Sequence, residues 1–141
     1  QGPAGPPAAS EPLRLVSADG LAILVGRNHR QNEQITLREA GPDDVWLHAR
    51  GVPGSHVILR TLPDGSFPES SLLEAAALAA YFSRARASGK VEVDWTRRRH
   101  VRKPPGSRPG MVIYDHQRTV VVRPWGPMDG GGRGAPARQG E

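Results

Sequence analysis

Val45-Trp46-Leu47-His48-Ala49-Arg50-Gly51-Val52-Pro53-Gly54-Ser55-His56-Val57-Ile58-Leu59-Arg60 places two short apolar runs on either side of a Gly/Pro-rich break. The first run follows the turn formers Gly41-Pro42-Asp43-Asp44 and ends at Arg50. The second carries β-branched residues at its centre, so both read as strands. Neither run is long enough for a helix of ordinary length, and the break at 51–54 cannot continue either one.

Upstream, Leu13-Arg14-Leu15-Val16 and Leu21-Ala22-Ile23-Leu24-Val25-Gly26 flank Asp19-Gly20. That dipeptide tolerates the positive φ of a hairpin turn, which predicts two antiparallel strands. Residues 31–39 read as a short helix or an irregular segment. Downstream, after a turn at Pro63-Asp64-Gly65-Ser66, the strongest helix signal covers 72–88. Ser71 and Glu74 match an S-x-x-E capping box, Ala75, Leu78, Ala79, Phe82 and Ala85 recur at helical spacing, and Gly89 stands as terminator. An alanine-rich face lets a helix backbone approach a sheet closely, so this helix is placed across the strands.

Val91-Glu92-Val93-Asp94-Trp95-Thr96 then alternates apolar and polar with the period of a half-buried strand. Arg97, Arg98, Arg99 and His100 continue it as a loop or strand extension. Met111-Val112-Ile113-Tyr114 and Thr119-Val120-Val121-Val122 read as a final hairpin closed at 115–118. The expectation is an α+β fold with seven strands, a mostly antiparallel sheet and one long Ala-rich helix packed on it, in a compact single domain.

The chain has 141 residues, with 17 Gly and 14 Pro concentrated at its ends. Residues 1–12 hold four Pro and two Gly, and residues 126–141 hold two Pro and six Gly, whereas all seven aromatics fall within 13–125. The folded domain is therefore expected over 13–125, with a disordered Pro/Gly/Ala-rich linker at 1–12 and a disordered Gly-rich tail at 126–141. Because the chain begins at Gln1 and its first Met is Met111, it is expected to be a piece of a longer protein.

No apolar run approaches the ~20 residues that cross a bilayer, and no basic-then-apolar leader opens the chain, so the expectation is no membrane partner. With no Cys there is no disulfide framework, thiolate site or cysteine nucleophile, which fits a reducing compartment, the cytoplasm. The net charge of +5 is unevenly spread. Residues 84–108 carry nine Lys or Arg against Glu92 and Asp94, a local +7, while the rest of the chain sums to −2. Such a cluster suits a polyanion, because each Lys or Arg that neutralises a phosphate gains by counterion release. The competing reading is a solvated Arg-rich surface.

Spacing gives little support for chemistry. His48 and His56 stand eight apart with no His or carboxylate at zinc-ligand spacing, so no metal site is expected. Ser55 lies in no nucleophile elbow, and as neighbours on a strand Ser55 and His56 point to opposite faces. Gly51-x-x-Gly54 joins strands, unlike the G-x-x-G clamp between two KH-domain helices. No nucleotide-phosphate loop occurs, and Trp46 and Trp95 read as core or half-core residues. No catalytic residue and no cofactor are expected.

The ordered blocks of the chain are more specific than these motifs. They comprise Asp19-Gly20, Ile23-Leu24-Val25-Gly26-Arg27-Asn28, Gln31-Asn32-Glu33, Asp44-Val45-Trp46-Leu47-His48-Ala49 and Gly54-Ser55-His56-Val57-Ile58, then Glu74-Ala75-Ala76, Ala79-Ala80-Tyr81-Phe82-Ser83, Val93-Asp94-Trp95-Thr96, Val101-Arg102-Lys103-Pro104, Pro109-Gly110 and Tyr114. Together they closely resemble the NFACT-R domain, the RNA-binding module of the NFACT proteins. Those proteins include the ribosome quality-control tailing factors and the bacterial fibronectin-binding-protein-A-like proteins. The resemblance runs over 19–124.

What it implies is an RNA-binding part of a ribosome quality-control factor. Its partners would be tRNA or ribosomal RNA, the large ribosomal subunit holding peptidyl-tRNA, and the rest of a longer NFACT protein in cis. The chain lacks the large N-terminal domain, helix-hairpin-helix segment and coiled coil of the full-length proteins, which tailing would need. On this reading Arg97, Arg98, Arg99, Arg102 and Lys103 contact phosphates, while Arg50, His48, Ser55, His56, Asn28, Gln31 and Asn32 make the shorter polar contacts. Gly54-Ser55-His56 would form a recognition corner with His56 exposed. The alternatives are structural roles for Asn28 and Asn32 as turn caps and for His48 in a half-buried strand, and plain surface charge for Arg27 and Lys103. At the level of function they are a protein-interaction or adhesin module, or a hydrolase built on His48, Ser55 and His56.

Overall fold

A computed structural model describes residues 11–127. Among these the strands are β1 (Leu13–Val16), β2 (Ala22–Val25), β3 (Val45–Ala49), β4 (Val57–Leu59), β5 (Val91–Arg97), β6 (Val101–Arg102), β7 (Ile113–Tyr114) and β8 (Arg118–Val122). There are two helices, α1 (His29–Glu33) and α2 (Glu69–Tyr81), with a π-helical turn over Gln34–Glu39 directly after α1 and a 3-10 turn over Arg98–His100 directly after β5. The main sheet has six strands in the order β1-β2-β4-β3-β5-β8, every pair antiparallel. The α+β expectation holds. The linker and tail regions fall largely outside the described residues.

Side-chain alternation divides the sheet into two differently covered faces. Ile23, Val25, Val45, Leu47, Val57, Leu59 and Val93 point to one face and are buried under α2. Ala75, Ala76, Ala79 and Ala80 are fully buried there, so the helix backbone lies close to the sheet. The opposite face carries Leu24, Trp46 and Ile58, capped by Ile35 of the π turn and by Val101, Val112 and Tyr114 around the small β6-β7 ribbon. This second layer is short and leaves part of the face uncovered beside His48.

The helix starts and ends earlier than its sequence signals suggest. Pro68 is the N-cap residue and makes no side-chain cap bond, while Ser71 and Glu74 serve a tertiary contact instead of a capping box. The Ser71 hydroxyl bonds Ser17 and Asp19, each at 2.8 Å, and Glu74 Oε1 accepts from the Ala18 amide at 3.0 Å. The same four-residue motif therefore ties the β1-β2 turn to the helix. At the other end Phe82 leaves helical geometry (φ −93°, ψ 41°), because residues 53–55 compete for the backbone that follows. The Ser55 amide donates to the Phe82 carbonyl and the Arg84 amide to the Pro53 carbonyl, both at 2.9 Å. Arg84, Arg86 and Gly89 thus lie beyond the helix.

The expected final hairpin does not form. Ile113–Tyr114 pairs with Val101–Arg102, an eighth strand with too few residues to show a period, and Arg118–Val122 pairs with β5. Five residues of β5 edge offered β8 a longer ladder than its sequence neighbour could.

Candidate functional site

The β3-β4 connection is a corner held against the end of α2. Gly51 has φ +73°, and a Cβ on Gly54 would lie 2.9 Å from the Ser83 side chain and 3.1 Å from its Cα, so the chain turns and packs there only as glycine. The corner sends Ser55 and His56 to different clefts, as strand alternation requires. Pro53 lines both.

The first cleft, about 640 Å³, lies between the Arg27–His29 stretch and the segment following α2. Arg27, Arg84, Arg86, His29, Ser55 and Tyr81 line it. The Arg86 guanidinium lies 3.9 Å from the centroid of the Tyr81 ring, a cation-π contact that fixes the charge on an aromatic platform. Arg27 donates to the Glu11 carbonyl, at 3.2 Å from Nε and 2.5 Å from Nη2.

The second cleft, about 380 Å³, opens on the uncovered part of the sheet and is lined by Trp46, His48, His56, Met111 and Tyr114. The Trp46 and His48 rings stack at 5.8 Å, His56 meets Trp46 edge-on at 5.4 Å, and Tyr114 lies 4.5 Å from Trp46. Burial pushes His56 down to about 3, helped by His48 and against a hydrogen bond to the Gly110 backbone. Burial also lowers His48, partly offset by bonds to the Ala49 and Gly54 backbone and by Asp94. Both rings are therefore neutral at physiological pH. Tyr114 is pushed up to about 12 by burial and by the bond its hydroxyl donates to Asp94 at 2.8 Å, while the nearby Arg50 opposes that rise. The cleft thus contains polar rings but no charge of its own.

His56 is 4% exposed, not the exposed contact expected from the break in the chain. Its Nδ1 lies 2.9 Å from the Thr36 hydroxyl, and its amide donates to Asn32 Oδ1 at 3.0 Å. Asn28 caps α1 by accepting from the Gln31 amide at 2.9 Å, and Gln31 Oε1 accepts from the Arg27 amide at 2.8 Å. Gln31 and Asn32 are both buried. These polar residues position the walls of the two clefts, and of the expected short polar contacts Asn28, Asn32 and Ser55 line the basic one.

Four of the five basic residues expected to bind phosphate are engaged by groups of the fold. Arg97 donates to the Asp43 and Gly65 carbonyls at 2.6 and 2.7 Å. Arg98 donates to the Thr36 carbonyl and is lowered by burial. Arg99 pairs with Asp43, and Lys103 donates to the Ser107 carbonyl at 2.6 Å beside Glu33. Arg102 is exposed. The first cleft instead recruits Arg84 and Arg86 from the start of the same basic run and joins them to Arg27 and Tyr81. The signal for it was the Arg-rich sequence after Tyr81-Phe82, hidden by reading that sequence as helix.

Among the described residues, the side chains that could hold a metal ion are His100, Asp115 and His116, and His100 and His116 line a different cleft from the His48-His56 pair. His116 Nδ1 is 2.8 Å and His100 Nδ1 3.7 Å from the same Asp115 oxygen, with the imidazole rings stacked at 4.0 Å. One imidazole hydrogen-bonded to the carboxylate with a second stacked on it accounts for that geometry. No helix among the described residues is long and apolar enough to cross a membrane.

Known proteins are similar to this chain in sequence and fold. The Rqc2 homolog RqcH of Bacillus subtilis is 54% identical over 109 residues, covering 77% of this chain and 18% of that protein. RqcH of Streptococcus suis is 42% identical over 115 residues, covering 81% of this chain and 20% of that protein. A ribosome quality control complex subunit NEMF homolog of Drosophila melanogaster is 33% identical over 69 residues, 49% of this chain and 7% of that protein. The solved C-terminal part of the fibronectin/fibrinogen-binding protein from Streptococcus suis superposes with a TM-score of 0.76 at 40% identity, covering 82% of this chain and 46% of that one. The chain spans about a fifth of the length of the two bacterial RqcH relatives. The family described as the NFACT protein RNA binding domain matches residues 12–114, from β1 through β7, and the chain belongs to that family.

Proposed function

We propose that this domain binds tRNA or ribosomal RNA as part of a ribosome-associated quality-control factor, on large subunits that still hold peptidyl-tRNA. It acts there without catalysis of its own and in cis with the rest of a longer protein. The relatives named for ribosome quality control support the setting, which would place the protein in the cytoplasm. The observation that carries the reading is the first cleft, where Arg27, Arg84 and Arg86 gather around Tyr81 beside the 53–55 corner. Arginine forks suit phosphate oxygens, and a concave basic wall raises the local concentration of a polyanion. Arg50, near enough to Tyr114 to act on its hydroxyl, extends that field towards the second cleft.

Binding of the chain to tRNA, to isolated large subunits and to an unrelated RNA at several salt concentrations tests the reading. A salt-sensitive complex that leaves the RNA intact is expected, and preference for tRNA or the large subunit over unrelated RNA would separate the specific partner from general polyanion affinity. Failure to bind any RNA at low salt would favour a protein-interaction role, the reading suggested by the fibronectin/fibrinogen-binding name of the structural relative. Metal-dependent or His48-dependent cleavage of the RNA would overturn the non-catalytic part.

A further inference from the structure

We propose that the second cleft receives a single unstacked nucleobase of the bound RNA, while the first cleft holds the flanking phosphates. This rests on the RNA-binding reading and names the ligand chemistry of a pocket that reading does not need.

The argument begins with the wall. His48 and Tyr114 are half-buried and present ring faces at the second cleft, with the buried Trp46 ring packed behind them. Met111 stands at the same cleft with 55% of its surface exposed, an unbranched and adaptable side chain that can close over a planar group. A wall of flat rings accommodates a flat heteroaromatic ligand by stacking, and every base has a π face.

The polar groups narrow the choice. His56 is committed to Thr36 and to the Gly110 backbone, and His48 to the Ala49 and Gly54 backbone. The ring nitrogens of both histidines are thus engaged within the fold, and the Trp46 indole N–H is itself buried away from the cleft surface, so the cleft offers ring faces rather than donors.

Charge then separates base from phosphate. The pocket histidines are neutral, so the pocket provides no cation for a phosphate. The cations stand outside it, with Arg50 adjoining Gly51 of the pocket wall, and Arg84 and Arg86 across Pro53 in the first cleft. An uncharged ring next to a cationic channel is the pattern that a nucleotide, with its apolar-faced base and anionic backbone, would complement.

The test compares binding of the 141-residue chain to single-stranded ten-nucleotide RNAs, U10 and A10, with a ten-unit abasic ribose-phosphate strand of equal charge. Intact strands are expected to bind about tenfold more tightly than the abasic one. Met111→Asp changes an exposed residue at the pocket and should reduce that ratio towards one, whereas Arg84→Ser should weaken all three strands and leave the ratio unchanged. If all strands bind with equal affinity, or Met111→Asp leaves the ratio intact, the nucleobase pocket is wrong even though RNA binding stands. Binding of an aromatic peptide that displaces neither strand from the first cleft but blocks the Met111 effect would likewise assign the pocket to a protein. If no strand binds at low salt, it is the RNA-binding reading that fails, and the pocket proposal falls with it.

Discussion

The two clefts meet at one proline and obey opposite rules. On the Ser55 side, arginines and a tyrosine face solvent and the walls are held by backbone contacts between 53–55 and 82–84. On the His56 side the imidazole is buried, neutral and bonded to Thr36 and the Gly110 backbone, and the His56 main-chain amide donates to Asn32, so the polar groups of this residue act as part of the core. Adjacent residues in sequence thus belong to different physical regimes, because strand alternation delivers one to a basic channel and the other to the sheet. The lesson is that a polar motif identifies a position to examine but does not say whether its side chains touch a ligand or hold the wall behind it.

His56→Ala breaks the comparison most directly. It removes a 4%-exposed ring and leaves the Thr36 hydroxyl and the Gly110 carbonyl without their partner. A loss of about 2–4 kcal/mol in unfolding free energy is expected by denaturant titration. A loss below about 0.5 kcal/mol, typical of a solvent-exposed site, would move His56 to the ligand-facing side.

The basic side should respond in affinity and hardly in stability. Replacing Arg27, Arg84 and Arg86 together by Ser should flatten the log-log salt dependence of single-stranded RNA binding by about 2 units, if each arginine neutralises one phosphate. The triple replacement of Arg97, Arg98 and Arg99 should do the reverse, lowering the thermal midpoint while changing the slope less, because Arg97 and Arg98 donate to the Asp43, Gly65 and Thr36 carbonyls. Equal slope changes in the two triple variants would restore a single electrostatic footprint over the whole basic run.

Acid sharpens the contrast through the buried histidines. Their folded-state values are depressed, so below the ordinary value of 6.5 the unfolded chain binds protons that the folded chain does not. Stability contributed in this way is complete above pH 6.5 and is lost as pH falls towards about 3, where His56 titrates in the folded state. Each ring contributes a slope of at most ~1.4 kcal/mol per pH unit in that window. Unfolding free energies measured between pH 7 and pH 4 should show this decline, and His56→Ala should remove its share. A flat profile would mean that the rings are accessible to protons in the folded domain.

Much of the sheet was legible because its signals are local. The apolar runs at 22–25, 45–49, 57–59 and 91–97 each carry their own pattern, and positive-φ Gly20 marks the first hairpin. What escaped was decided by partners far along the chain. Whether Arg97 is a ligand contact depends on the Asp43 and Gly65 carbonyls, and whether Thr119-Val120-Val121-Val122 pairs locally depends on the free edge of β5. Ser71 and Glu74 looked like a cap because the capping geometry is the only use a sequence window shows for them; the β1-β2 turn that claims them lies over fifty residues away. The site was legible as a neighbourhood around 48–56, while its division into two clefts required the fold.

The smallest expected effect tests the origin of the first cleft's outer wall. If α2 continued to residue 88, Gly89 would be its terminating residue and would favour the left-handed backbone that only glycine adopts at low cost. In the structure the helix stops at Tyr81, Gly89 has no positive φ, and a Cβ placed on it meets nothing within 4 Å. Arg84 and Arg86 can line the cleft because the chain after Phe82 is pulled towards Pro53 and Gly54 by the Arg84 amide and the Gly54-Ser83 bridge. Gly89→Ala is therefore expected to change unfolding free energy by no more than about 0.5 kcal/mol and to leave RNA affinity unaltered. A loss of about 1 kcal/mol or more, the cost of forcing alanine into a helix-terminating glycine's conformation, would mean that the helix runs on through 82–88. In that case the arginines would point around a helical surface, and the channel on the Ser55 side would have no wall.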